Sequence, residues 1–148
     1  MEQQRSIRPI VTGNDEQGRS RIIEDGLSPA VRTVAERPGY RVVTLWATTG
    51  TPAHINSPDI VTTVQGVLPP KAGTVFRIID IPPEPKDPTE RERGISATFR
   101  KLLRDADHNP KPDQHPGMHT TMTVDYIILL SGELVAIMDE GEVVMQAG

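Results

Sequence analysis

The chain has 148 residues, of which 36% are hydrophobic and 3% aromatic, with 14 prolines, 12 glycines and no cysteine. That composition points to one domain with a Val, Ile and Leu core and excludes disulfides and thiolate metal sites. A formal charge of -4 argues against nucleic acid as a partner, because a phosphate backbone is held by clustered Lys and Arg. No apolar run approaches the roughly 20 residues of a bilayer-spanning helix. The polar start MEQQRSIRPI also lacks a signal-peptide core, so the expectation is a soluble cytoplasmic protein without a membrane partner.

In chain order, Ile7 to Thr12 is β-prone and runs into the turn cluster Gly13-Asn14-Asp15. Ser20 to Glu24 follows Gln17-Gly18, so the two runs read as a hairpin with a loose loop. Both are short and flanked by charge, which suits an arm, and Arg5, Arg8, Arg19 and Arg21 read as its solvated faces. Residues 1–36 are accordingly an N-terminal β arm, with residues 37–148 carrying the main fold. Val31 to Val34 lies between Pro29 and Arg37-Pro38-Gly39, and Tyr40 to Ala47 is the best strand of the front half, anchored by Trp46. His54 lies in a Thr, Gly and Pro-rich loop and reads as exposed. Val61 to Val67 is weakly strand-like.

Val75 to Ile81 is the next strand, closed by Pro82, Pro83, Pro85 and Pro88, which cannot donate ladder hydrogen bonds. Thr89 and Glu92 stand at capping-box spacing. Beyond them Ile95, Phe99, Leu102, Leu103 and Ala106 recur at helical intervals. The single expected helix therefore covers about residues 90–105, with Gly94 weakening its first turn and its apolar stripe packing on a sheet.

The last third, His115 to Gly148, combines apolar runs, turn residues and polar ligand types in order. Tyr126 to Leu130, Leu134 to Met138 and Val143 to Met145 are separated by Ser131-Gly132-Glu133 and Asp139-Glu140-Gly141, which reads as strand, turn, strand, turn, strand. Ahead of them, His119, Thr121 and Asp125 all carry odd numbers, so a continuous strand would place them on one face.

The segment from Pro116 to Gly148 resembles the first conserved motif of the cupin superfamily: a Gly, His-x-His, a carboxylate, six residues and a Gly. His119 matches the first His, Asp125 falls where the Glu belongs, six residues before Gly132, and Thr121 stands at the second His. The front half, with VTGNDEQGRS, a Leu-Trp strand and VFRIIDIPPE, is similar to small single-domain bacterial and fungal cupins. The resemblance implies an all-β, cupin-type jelly-roll barrel or sandwich with an N-terminal β arm and one short helix, and a homodimer. It also implies a divalent metal, Fe, Mn or Zn, held by His119 and Asp125. Two departures bear on that site. Thr121 offers only a hydroxyl, and the chain ends at Gly148, where the strand leading to a second motif would begin, so truncation or strand exchange with a second subunit is expected.

Three functions follow. The favoured one is binding of a small organic molecule in the barrel, with His119 and Asp125 as catalytic acid or base and Thr121, Ile127, Leu129 and Trp46 lining the pocket. Such a protein would be a decarboxylase, dehydratase or cyclase of secondary metabolism working without a metal. The second is a metal-dependent cupin dioxygenase or isomerase using His119 and Asp125 as ligands. His108 and His115, on the entry loop, read as exposed. The third is a non-enzymatic interaction or regulatory domain.

Overall fold

A computed structural model describes residues 6–148; Arg5 lies outside them. Seven strands and one helix occur in the order β1 Ile10–Asn14, β2 Ser20–Asp25, β3 Val31–Thr33, β4 Arg41–Ala47, β5 Val75–Asp80, α1 Pro88–Leu102, β6 Glu133–Ile137 and β7 Glu142–Gln146. Every strand pairing among them is antiparallel, so the described chain is all-β with one short helix. The strands form three separate sheets: β1-β2, β3-β4-β5 and β6-β7.

The centre is β4, flanked on both sides in its sheet. Its residues Val42 and Val43 are each 1% exposed. Consecutive strand residues point to opposite faces, so both faces of β4 are covered. On the Val42 face, Val34, Tyr40, Val42, Ala97 and Leu102 form one buried cluster, which seats α1 on the sheet as its apolar stripe predicts. A bulge at Leu45 shifts the register between Thr44 and Trp46, and places Trp46 opposite Phe76 of β5. Arg41 and Asp80 pair across the same ladder at 2.6 Å.

The helix starts earlier than the capping-box spacing of Thr89 and Glu92 implies. Asp87 is the N-cap, its Oδ1 accepting the Thr89 N–H at 2.8 Å, with Pro88 in the first turn. Proline lacks the donor that would be orphaned there, so an Asp-Pro start outcompetes a Thr cap two residues on. The helix also ends earlier, at Leu102, and Leu103 N–H closes it on the Phe99 carbonyl at 3.2 Å. Gly94 has a packing role: a Cβ there would stand 3.0 Å from the Glu36 carbonyl oxygen. Glycine lets the helix approach the β3-β4 connection, and Lys101 locks the far end of that contact onto Glu36 at 2.6 Å.

β3 joins β4, whereas the expected hairpin forms from β1 and β2. Its turn lies at Asp15 to Gly18, one step later than the Gly13-Asn14-Asp15 cluster implies. There the Asp15 carboxylate accepts the Gln17 and Arg19 amides, and the carboxyl is held below its ordinary range, chiefly by the Arg19 amide. Arg8 makes a two-pronged contact with Asp25 at 2.6 and 2.7 Å, pinning the open end of the hairpin.

Two expected strands do not form. Residues 61–67 are turns and bends whose Val61 and Val64 nonetheless enter the core at 3% and 8% exposure. Residues 126–130 belong to no ladder among the described residues, and Tyr126, Ile128 and Leu130 are exposed. Apolar content alone drew that strand. A strand also needs a partner edge, and the described ladders of β6 and β7 join those two strands to each other alone. Among the described residues, no helix is long and apolar enough to cross a membrane.

Candidate functional site

The loop leaving α1 gathers a hydrogen-bonded polar cluster. An antiparallel bridge between Asp107 and Thr120, with amide-to-carbonyl distances of 3.1 and 2.9 Å, folds residues 107–120 back on themselves. Three histidines are collected on that loop. His108 lies flat on the Phe99 ring, with centroids 3.7 Å apart and planes 2° apart, and its Nε2–H donates to the Pro116 carbonyl at 2.7 Å. His119 leans against the same phenylalanine at 4.9 Å and 59°. Phe99 projects from the buried face of α1, so the helix fixes the position of both rings.

His119 is further oriented by its backbone. Its Nδ1–H donates to the Gly117 carbonyl at 2.9 Å, and in the neutral ring this leaves Nε2 as the acceptor. His115 is anchored differently: its Nδ1 accepts the Gly117 amide at 3.1 Å, so Nε2 carries the hydrogen and donates to Glu84, 3.0 Å away. Glu84 also faces Arg91 at 3.9 Å. His108 and His115, expected to be exposed loop residues, are thus half-buried and hydrogen-bonded. The missed signal is the register of Phe99 in the helix, which brings an aromatic surface to the loop.

The other expected site residues are spread along the chain beyond this point. Thr121 shares a hydrogen bond with Thr123 through their hydroxyls at 2.8 Å. Asp125 is exposed, Leu129 is half-buried, and Ile127 is 66% exposed. Trp46 sits half-buried in β4. No contact joins Trp46 to His119 or Asp125 among those described. Structural metal sites use three or four protein ligands. Among the described residues, no group of three or more His, Asp or Glu is placed to hold an ion.

Two concave regions lie elsewhere. One, of about 500 Å³, is lined by the loop Thr48 to His54 with Ser57. The other, of about 450 Å³, lies between residues 63–70 and the C-terminal end of α1. There Asp105 accepts the amides of Val67 at 2.6 Å and Leu68 at 3.0 Å. Arg77 gives two hydrogen bonds to the carbonyls of Val67 and Gly66, at 2.8 and 2.9 Å, and Arg32 reaches the same Gly66 carbonyl at 3.3 Å. Burial, followed by the Arg32 charge, pushes the Arg77 guanidinium below its ordinary value.

No family model matches this chain, and no curated protein matches it closely enough to mark a relative.

Proposed function

We propose that this protein is a cupin-type, jelly-roll homodimer that binds a small organic molecule beside His119, with a second copy of the chain covering Tyr126 to Leu130. The observation that carries the reading is the orientation of His119. Its ring rests on Phe99 and its Nδ1–H is committed to the Gly117 carbonyl, so Nε2 is the atom left to accept a proton or hydrogen bond from a ligand. Asp125, four residues beyond the Thr121 hydroxyl, supplies a carboxylate on the same segment.

The dimer supplies what one copy lacks, an apolar wall. Tyr126 is 93% exposed and Ile128 is 78% exposed, and because neighbouring residues of an extended segment point to opposite faces, cover is needed on both. Pairing with a second copy would also occupy the main-chain groups of residues 126–130. A decarboxylation, dehydration or cyclisation needs a positioned proton acceptor in such a shielded place; His119, exposed in the single copy, would take that role once the second copy covers it.

A thermal-shift screen of aromatic and aliphatic acids and ketones tests the reading. A hit should be lost in both His119→Ala and Asp125→Asn, while sedimentation shows a dimer that Ile128→Asp converts to monomer. A stable wild-type monomer would overturn the covered site. A dimer that binds nothing in the screen would favour a second reading, an interaction domain, for which the same exposed run Met122 to Leu130 is the supporting observation.

A further inference from the structure

The cleft between residues 63–70 and the end of α1 carries a charge imbalance unlike the rest of this acidic chain. Arg32, Arg77, Lys101 and Arg104 lie in or directly behind it, against Asp105 and Glu36. Both carboxylates are already committed. Glu36 is bonded to Lys101 at 2.6 and 2.9 Å, a contact that holds its carboxyl below the ordinary range. Asp105 is turned onto the Val67 and Leu68 amides. Arg32 and Arg77 meet only carbonyl oxygens among the described hydrogen bonds, and the Arg77 Nε is buried without a partner there. The Arg32 and Arg77 guanidiniums repel each other across the Gly66 carbonyl, offset in part by the Asp105 charge. Of the two it is Arg32 that lines the cleft, together with Arg104, so an anion in the cleft would relieve the repulsion from the Arg32 side.

The remaining lining separates one kind of anion from another. Val64, Leu68, Pro69 and Leu102 make much of the wall apolar, and a cavity of about 450 Å³ suits a molecule larger than an inorganic ion. Phosphate sites gather several main-chain N–H groups. Here the Val67 and Leu68 amides are taken by Asp105, so the donors left to a ligand are side chains, and arginine forks match a carboxylate in two-pronged fashion. We propose that this cleft binds a small organic carboxylate, its acid group held by Arg32 and Arg104 and its apolar body against Val64, Leu68 and Pro69. The site is independent of the one proposed at His119.

Titration of the full chain with benzoate, followed by amide NMR, tests this. Benzoate should saturably shift the amides of Gly66, Val67, Leu68 and residues 101–105, leaving those of 119–130 unmoved, while neutral benzamide should leave the cleft unchanged. Arg32→Gln and Arg104→Gln should each weaken benzoate binding roughly tenfold, as for loss of one charge-assisted hydrogen bond. Arg104 is exposed, so its variant keeps the fold, and unmoved β4-β5 amides certify the Arg32 variant, because Arg32 pairs with Val42 in that sheet. The proposal is overturned if benzoate gives no saturable shift, if benzamide matches it, if inorganic phosphate binds more tightly, or if either Gln variant keeps wild-type affinity.

Discussion

The Phe99 ring and the His108 imidazole lie parallel, 3.7 Å apart, and this stack joins the helix to the loop that carries His119. Phe99 is 7% exposed, so its ring serves the core and the loop at once. Phe99→Ala is expected to cost about 3–5 kcal/mol of stability, as for other buried aromatic truncations. In a double-mutant cycle with His108→Ala, a coupling of roughly 0.5–1.5 kcal/mol should appear in denaturant unfolding. Additive losses would mean that the two rings are neighbours without mutual stabilisation.

Gly66 and Asp105 form a second linked pair. Gly66 has φ +107°, and a Cβ there would fall on the Asp105 carboxylate. Gly66→Ala therefore meets both backbone strain and collision, and should destabilise by about 2 kcal/mol or more. Asp105→Ala, which strips two amides of their acceptor, should cost about 1 kcal/mol because the site is partly open to water. The double variant should lose less than the sum, since removing the carboxylate removes the collision. Chemical denaturation of the three variants measures the difference.

Tyr40 links stability to alkaline pH. Its ring is 6% exposed, and burial raises the hydroxyl above its ordinary value of 10.0, against opposing pulls from Arg37, Arg77 and Arg32. The folded state therefore holds the proton more tightly than the unfolded chain. The resulting stability is complete below pH 10.0 and is lost as pH rises through the folded value. Melting temperature should fall more steeply above that point in the wild type than in Tyr40→Phe. Parallel curves for the two proteins would show that Tyr40 carries no such linkage.

The strands that the sequence announces most clearly are those whose pairing partner is near and whose turn residues are explicit. β1-β2 and β6-β7 fall into this class, and β4 is legible from its Val42-Val43 and Leu45-Trp46-Ala47 apolar content. The helix is legible from Ile95, Phe99 and Leu102, although its start is fixed by Asp87-Pro88 and not by Thr89. Residues 126–130 fail because an apolar run has the composition of a strand whether or not an edge waits for it. His119 is legible from its same-face spacing with Thr121 and Asp125 and from its match to the first His of the motif. What holds it, Phe99 from twenty residues earlier in the chain and the Gly117 carbonyl, depends on tertiary approach and on a local turn that no periodicity records. The arginine cleft was illegible for a similar reason: Arg32, Arg77 and Arg104 come from β3, β5 and the segment after α1, and only packing assembles them.

The hairpins at either end have a different standing from the central sheet. β1-β2 and β6-β7 each pair only within themselves among the described strands, whereas β4 is paired along both edges and mostly buried. A two-stranded hairpin alone in water is marginal, so the ends should open at little free-energy cost while β4 opens only with the whole molecule. Amide exchange would then be layered, fast in both hairpins and slow in β4. Whatever docks on an end must also supply the energy that orders it, which lowers affinity per unit of contact and leaves such contacts reversible.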